Sequence, residues 1–190
     1  IPVERAEGTF VAFCDGDDYW LSEDKLSKQV AYMQQNPDCV GTFHGANYLV
    51  DGNLTGLIFP PPHHYCLNQK NIILKHHIAT CSTLYRTNIL KEAIKNCKPF
   101  EKFVISDIPA SILMAGQGYI CFLDEIRSVY RKNYASLTHN KRYLRTARIK
   151  FIKTFFLLIP YVEKRNRIFV VYMMMRLFLG FFKFWRYFTK

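Results

Sequence analysis

The sequence has no CxxC pair, no internal repeat, no low-complexity tract and no uncharged apolar run long enough to span a bilayer. Each absence removes a class. The six cysteines (Cys14, Cys39, Cys66, Cys81, Cys97 and Cys121) are scattered, and a chain this large has no need of a disulfide framework, so reduced thiols in a cytosolic setting are expected. The chain opens Ile1-Pro2-Val3 rather than with Met, and this start has neither a basic n-region nor an apolar stretch. It is not a signal peptide, and further chain is expected upstream.

Acidic residues are nearly missing from the last fifty positions. Residues 141–190 hold 13 Lys and Arg against the single Glu163, whereas residues 1–140 hold 13 basic and 14 acidic residues. The formal net charge of +11 therefore belongs to an appendage, which argues against a nucleic-acid-binding domain. With 49% hydrophobic and 16% aromatic content, 190 residues suffice for one core, and disorder is excluded.

Thr9 to Cys14 is a short apolar, β-rich run that stops at Asp15-Gly16-Asp17-Asp18, the pattern of a buried strand ending in an acidic loop. Ser22 is placed to cap the next helix, in which Leu26, Val30 and Met33 share a face until Asn36-Pro37. Strands are expected at 39–43, 46–50 and 79–85, with Asp51-Gly52 as a turn and a Pro- and His-rich loop at 60–65. Thr87 and Ser106 are candidate caps of two further helices, and Tyr119 to Leu123 reads as a closing strand. Strands alternating with helices predict an α/β fold with a largely parallel sheet, whose ligands bind at the carboxyl ends of strands.

Asp15, Asp17 and Asp18 repel one another unless a cation or hydrogen-bond donors compensate. A hard divalent ion, Mg²⁺ or Mn²⁺, held by one or two carboxylates together with water and substrate phosphates, is the simplest reason for the cluster. The alternative is a solvated turn in which Asp side chains cap backbone amides. An EF-hand is excluded, because counting from Asp15 puts Trp20 and Leu26 where that loop needs Gly and Glu.

The stretch Ala6-Glu7-Gly8-Thr9-Phe10-Val11-Ala12-Phe13-Cys14-Asp15-Gly16-Asp17-Asp18-Tyr19-Trp20, followed by Lys25-Leu26 and Gln29-Val30, resembles the central signature of family-two inverting glycosyltransferases of GT-A fold. A second likeness runs from Ser106-Asp107-Ile108-Pro109 through Gly118 to Glu125 and on to Val129-Tyr130-Arg131, and a weaker one covers Ala79 to Arg86. By position, the resemblance implies that Asp17 ligates the metal and Asp15 helps hold the donor or the metal's water shell. It implies that Arg131 contacts a diphosphate and that Asp107 is the catalytic base; taken alone, Asp107 reads rather as a first-turn helix carboxylate, and the flanking match reverses that preference. Trp20 is either a support under the loop or plain core. Where many relatives place a His after Tyr-Arg, this chain has Asn133, which offers oxygen but no imidazole nitrogen. His63-His64 and His76-His77 have no acid or Cys partner at ligand spacing and read as loop or surface residues.

The resemblance thus implies a partial catalytic domain over residues 1–140, incomplete at its amino terminus and on its own unable to bind a nucleotide sugar normally. It also implies a nucleotide-diphosphate sugar donor and a carbohydrate or lipid-linked acceptor. Residues 141–190 read as a basic, aromatic-rich helical tail divided near Pro160 and residues 163–167. Arg176 and Lys183 oppose a membrane span, so the tail is expected to lie on an anionic membrane surface, peripheral at the inner face of the cell membrane. Packing of the tail on the catalytic domain or on a second subunit is the alternative. The reading of function is sugar transfer in surface polysaccharide or glycolipid synthesis; a non-catalytic, membrane-associated interaction module is the competing one.

Overall fold

The computed structural model describes residues 2–57, 65–75, 78–103, 105–132 and 141–186. His63, His64, His76, His77 and Asn133 lie outside the described residues. The centre of the fold is a parallel pair of long strands, β3 (Cys39–Val50) and β7 (Tyr119–Lys132), the first buried from Cys39 to Ala46. Around this pair the sheet runs β1 (Phe10–Ala12), β6 (Leu84–Arg86), β3, β7, β2 (Tyr19–Trp20). A hairpin strand β4 (Asn53–Leu57) pairs with β3, and β5 (Cys66–Leu67) pairs with β7.

The α/β class is as expected, but the sheet is mixed rather than largely parallel: every pairing except β3–β7 is antiparallel. Short returns are the physical reason. Asp51 and Gly52, at φ of 49° and 81°, make a two-residue turn whose left-handed backbone sends β4 straight back along β3, and the expected strands at 39–43 and 46–50 are one strand. The expected strand at 79–85 is a 3-10 turn over Thr80–Ser82 followed by β6, and β1 is a half-buried edge strand rather than a buried one.

Helices cover both faces. On one lies α1 (Lys25–Gln35), whose Met33, Leu26 and Val30 pack with Cys39, Leu84 and Cys121. On the other, α2 (Gln69–Leu74), α3 (Thr87–Asn96) and α4 (Asp107–Met114) bring Ile72, Ile73, Leu90 and Ile112 onto Val40, Phe43, Ile120 and Phe122. The caps differ from expectation. Asp24, not Ser22, precedes α1, and Ser22 Oγ instead donates to Asp24 Oδ1; Thr87 is the first residue of α3 rather than its cap. Ser106 does precede α4, without a side-chain capping bond. Helix α2 is fixed by a reciprocal capping box between Asn68 and Asn71.

Cys66 and Cys121 are register partners on β5 and β7 and are disulfide-bonded, which corrects the expectation of six separate thiols. Cys14, Cys39, Cys81 and Cys97 are free.

The tail forms α5 (Lys141–Leu158) and α6 (Arg167–Arg186), joined by 3-10 turns. Its inner side is part of the main core, because Phe155, Leu158, Val162 and Val170 are buried in the same cluster as Ile72 and Ile112. Buried Gln69 ties the join: its amide donates to Ile112 O, and its Oε1 accepts from Glu163 N and Asn166 Nδ2. Leu158→Ala is therefore expected to destabilise the whole chain by about 2–5 kcal/mol, read as a shifted urea midpoint, whereas Phe156→Ala, at an exposed site, stays within about 0.5 kcal/mol.

Candidate functional site

The acidic loop leaves β1, which pairs with β6, and returns as β2, whose end of the loop is held by β7. Tyr19 and Trp20 pair with Val129 and Ser128. Further along β7, Arg131 N donates to Asp18 Oδ1 at 2.9 Å while Arg131 Nε donates to Asp17 O at 2.9 Å. Asp18 N closes the turn onto Asp15 O at 3.0 Å. Asp18 is thus a structural strap, its Oδ2 buried without a hydrogen-bond partner among the described residues, while Asp15 and Asp17 are largely exposed.

Partial burial of its carboxyl, and then the charges of Asp17 and Asp107, raise Asp15 above its ordinary value. Asp107, more than ninety positions away in sequence, therefore acts on the same space as the loop. Its placement is built from the sheet. Gly41 has room only for hydrogen, since an added Cβ would run into the Tyr85 ring; Tyr85 lies there fully buried, its hydroxyl 3.0 Å from Ser111 Oγ. Ser111 Oγ donates to Asp107 O at 2.9 Å, and Asp107 Oδ1 accepts from Ile108 N at 2.8 Å. One carboxylate oxygen is thereby committed to the helix start, which orients the other.

Among the described residues no group of three or more His, Cys, Asp and Glu side chains is placed to hold a metal ion. The loop does not offer a closed cage. The mutually repelling Asp15 and Asp17 fit the looser way in which Mg²⁺ or Mn²⁺ is held, by one or two carboxylates with water and phosphate oxygens.

Trp20 is not plain core. It is 36% exposed, its Nε1 donates to Cys81 O at 3.0 Å, and the Lys25 ammonium lies 4.4 Å from its ring centroid. Ser128 Oγ donates to the same Cys81 carbonyl at 2.9 Å. Sequence reading assigned no role to Lys25, Cys81, Ser128 or Tyr130. The Tyr130 hydroxyl is raised by burial first and then by Asp18, Asp15 and Asp17, and its ring packs edge-on against Tyr48. A cation at the first residue of a helix, against the dipole, was the available signal for Lys25. The cavities at α3 and α4 and at the tail join, lined by Ile89 and Tyr161 and by Lys70 and Arg165 among others, are separate from the loop.

Residues 3–93 match the family described as Glycosyl transferase family 2. This match covers just under half of the chain, and the mixed α/β sheet with helices on both faces is the fold class that it implies; the helical tail lies beyond the matched residues. Two uncharacterized proteins, one of Mycobacterium bovis and one of Mycobacterium tuberculosis, are each 30% identical over 154 residues, covering 80% of this chain. The chain spans 42% of the length of these relatives. A crystal structure of S. aureus TarS residues 1–349 superposes with a TM-score of 0.48 at 19% identity, covering 79% of this chain and 42% of that one.

A raised carboxyl gives a definite pH dependence. With its folded value above the unfolded one, ionised Asp15 opposes folding in full above the folded pKa, and the opposition fades as pH falls through it towards about 4. Asp15→Asn is therefore expected to raise Tm near neutral pH and to lose that gain in acid. Thermal melts across this range check it, and a gain that grows in acid refutes it.

Proposed function

We propose that this chain works in sugar transfer from a nucleotide-diphosphate donor to an acceptor hydroxyl, with inversion at the anomeric carbon, in surface polysaccharide or glycolipid synthesis. What supports the reading is the acidic loop at the end of β1, with Asp15 and Asp17 exposed, inside the stretch 3–93 that matches Glycosyl transferase family 2. Asp15 and Asp17 would hold Mg²⁺ or Mn²⁺, which would neutralise charge on the leaving diphosphate. Arg131, tied by its Nε to Asp17 O, keeps its Nη groups for diphosphate oxygens. Asp107 takes the acceptor hydroxyl's proton as that oxygen attacks the anomeric carbon, and the bond to the diphosphate breaks on the opposite face with its electron pair leaving on phosphate oxygen.

Asp107→Asn is expected to lower the transfer rate of the natural protein by about 10²–10⁴-fold while calorimetry finds Mn²⁺-dependent nucleotide-diphosphate binding intact. Full activity removes Asp107 from the role. Absence of any metal-dependent nucleotide binding by the wild type refutes the enzymatic reading itself.

The acceptor side of the proposal is a peripheral site at the inner face of the cell membrane. No helix among the described residues is long and apolar enough to cross a membrane. Helix α6 nonetheless turns Ile168, Val171, Tyr172, Met175, Phe178 and Leu179 outward, at 40–65% exposure, while Val170, Met173, Met174 and Leu177 pack inward. An outward apolar stripe on the basic tail suits an anionic lipid surface and a lipid-linked acceptor. Sedimentation with phosphatidylglycerol vesicles is expected to carry down the wild type, with phosphatidylcholine vesicles far less effective. The double change Phe178→Ser and Leu179→Ser should abolish it, and equal sedimentation of the variant overturns the membrane assignment.

A further inference from the structure

We propose that Lys25 is a positioning residue for the acidic loop, acting through Trp20: its buried ammonium holds the indole in place and so fixes the end of the loop that carries Asp15 and Asp17.

Lys25 is fully buried at the first residue of α1, where the helix dipole disfavours a cation. Among the described residues no carboxylate forms an ion pair with it. Burial alone draws its pKa down to about 8, and the groups facing it are the thiols of Cys14 and Cys81, the Gln29 amide and the Trp20 ring. An apolar side chain of the same length would fill the space without the desolvation penalty, so packing does not account for the charge.

The contacts do account for it, because they close a ring. Lys25 Nζ donates to Gln29 Oε1 at 2.9 Å. Gln29 is itself immobilised, its Nε2 donating to Thr42 Oγ1 at 3.1 Å and to Ser82 O at 3.0 Å. One residue back, Cys81 O accepts from Trp20 Nε1, and the Trp20 ring covers Lys25. Trp20 is the last residue of β2, two positions beyond Asp18, so a fixed indole limits the freedom of the turn. Trp20 is part-exposed, so the cation on its ring bears on a local opening of the loop and not on the stability of the whole fold.

The test compares Lys25→Met and Lys25→Arg with the wild type by amide hydrogen exchange without any ligand. Lys25→Met is expected to speed exchange of the Asp18 and Arg131 amides by about tenfold or more and to leave β3 unaffected. Lys25→Arg, which keeps the cation, should restore slow exchange. Unchanged loop exchange in the Met variant, equal loosening in the Arg variant, or faster exchange in β3 as well would each overturn the proposal. The consequence for function, weaker Mn²⁺-dependent nucleotide-diphosphate binding by Lys25→Met, rests on the sugar-transfer reading. A wild type that binds no nucleotide sinks that reading while the exchange result stands.

Discussion

Like charges crowded at a strand end separate unless the chain is held against them, and this constraint organises the acidic loop. The hold comes from β7. Arg131 supplies it twice, with a backbone donor to the Asp18 carboxylate and a guanidinium donor to the Asp17 carbonyl. The strand that receives the loop is itself fixed by eleven register partners on β3, so the buried parallel pair is what makes the loop geometry stiff. Extra residues of β7 opposite His44 to Ala46 bend it just before the stretch that meets the loop.

Strands β3 and β6 together explain how Asp107 is placed. Gly41 of β3 lacks a side chain, Tyr85 of β6 lies in the space, and its hydroxyl reaches Ser111 one turn into α4. A carboxylate at a helix start is thereby set by a glycine more than sixty residues earlier. Chemistry at this site is placed by packing rather than by local sequence.

Elements with strong local signals were legible, and those set by partners were not. The Thr9 to Cys14 run, the acidic loop, the helix after it and the Asp51-Gly52 turn carry their causes within a few residues. Sheet direction does not. Whether β6 runs with or against β3 depends on how the 3-10 turn at Thr80–Ser82 reverses the chain, and Thr, Cys and Ser there read equally well as strand. The strap role of Asp18 and the buried position of Lys25 were hidden for the same reason. The partner of Asp18 stands on β7, and Lys25 is buried only because its near neighbour Gln29 is anchored across the fold to Thr42 and Ser82. The Cys66–Cys121 bond likewise follows from a strand register that spacing cannot reveal.

The tail shows what composition settles and what it leaves open. An excess of Lys and Arg among aromatics argued for an appendage, yet α6 is apolar on two sides, and one of these belongs to the core. Gln69 makes that junction specific: a fully buried amide satisfied by Ile112 on one side and by Glu163 and Asn166 on the other tolerates no sliding of the tail along the domain. The outward stripe is consequently held in a fixed orientation to the sheet. Whatever surface it meets, it meets with the acidic loop at one set angle, so the join at Gln69 governs the orientation of the site as much as the stability of the tail.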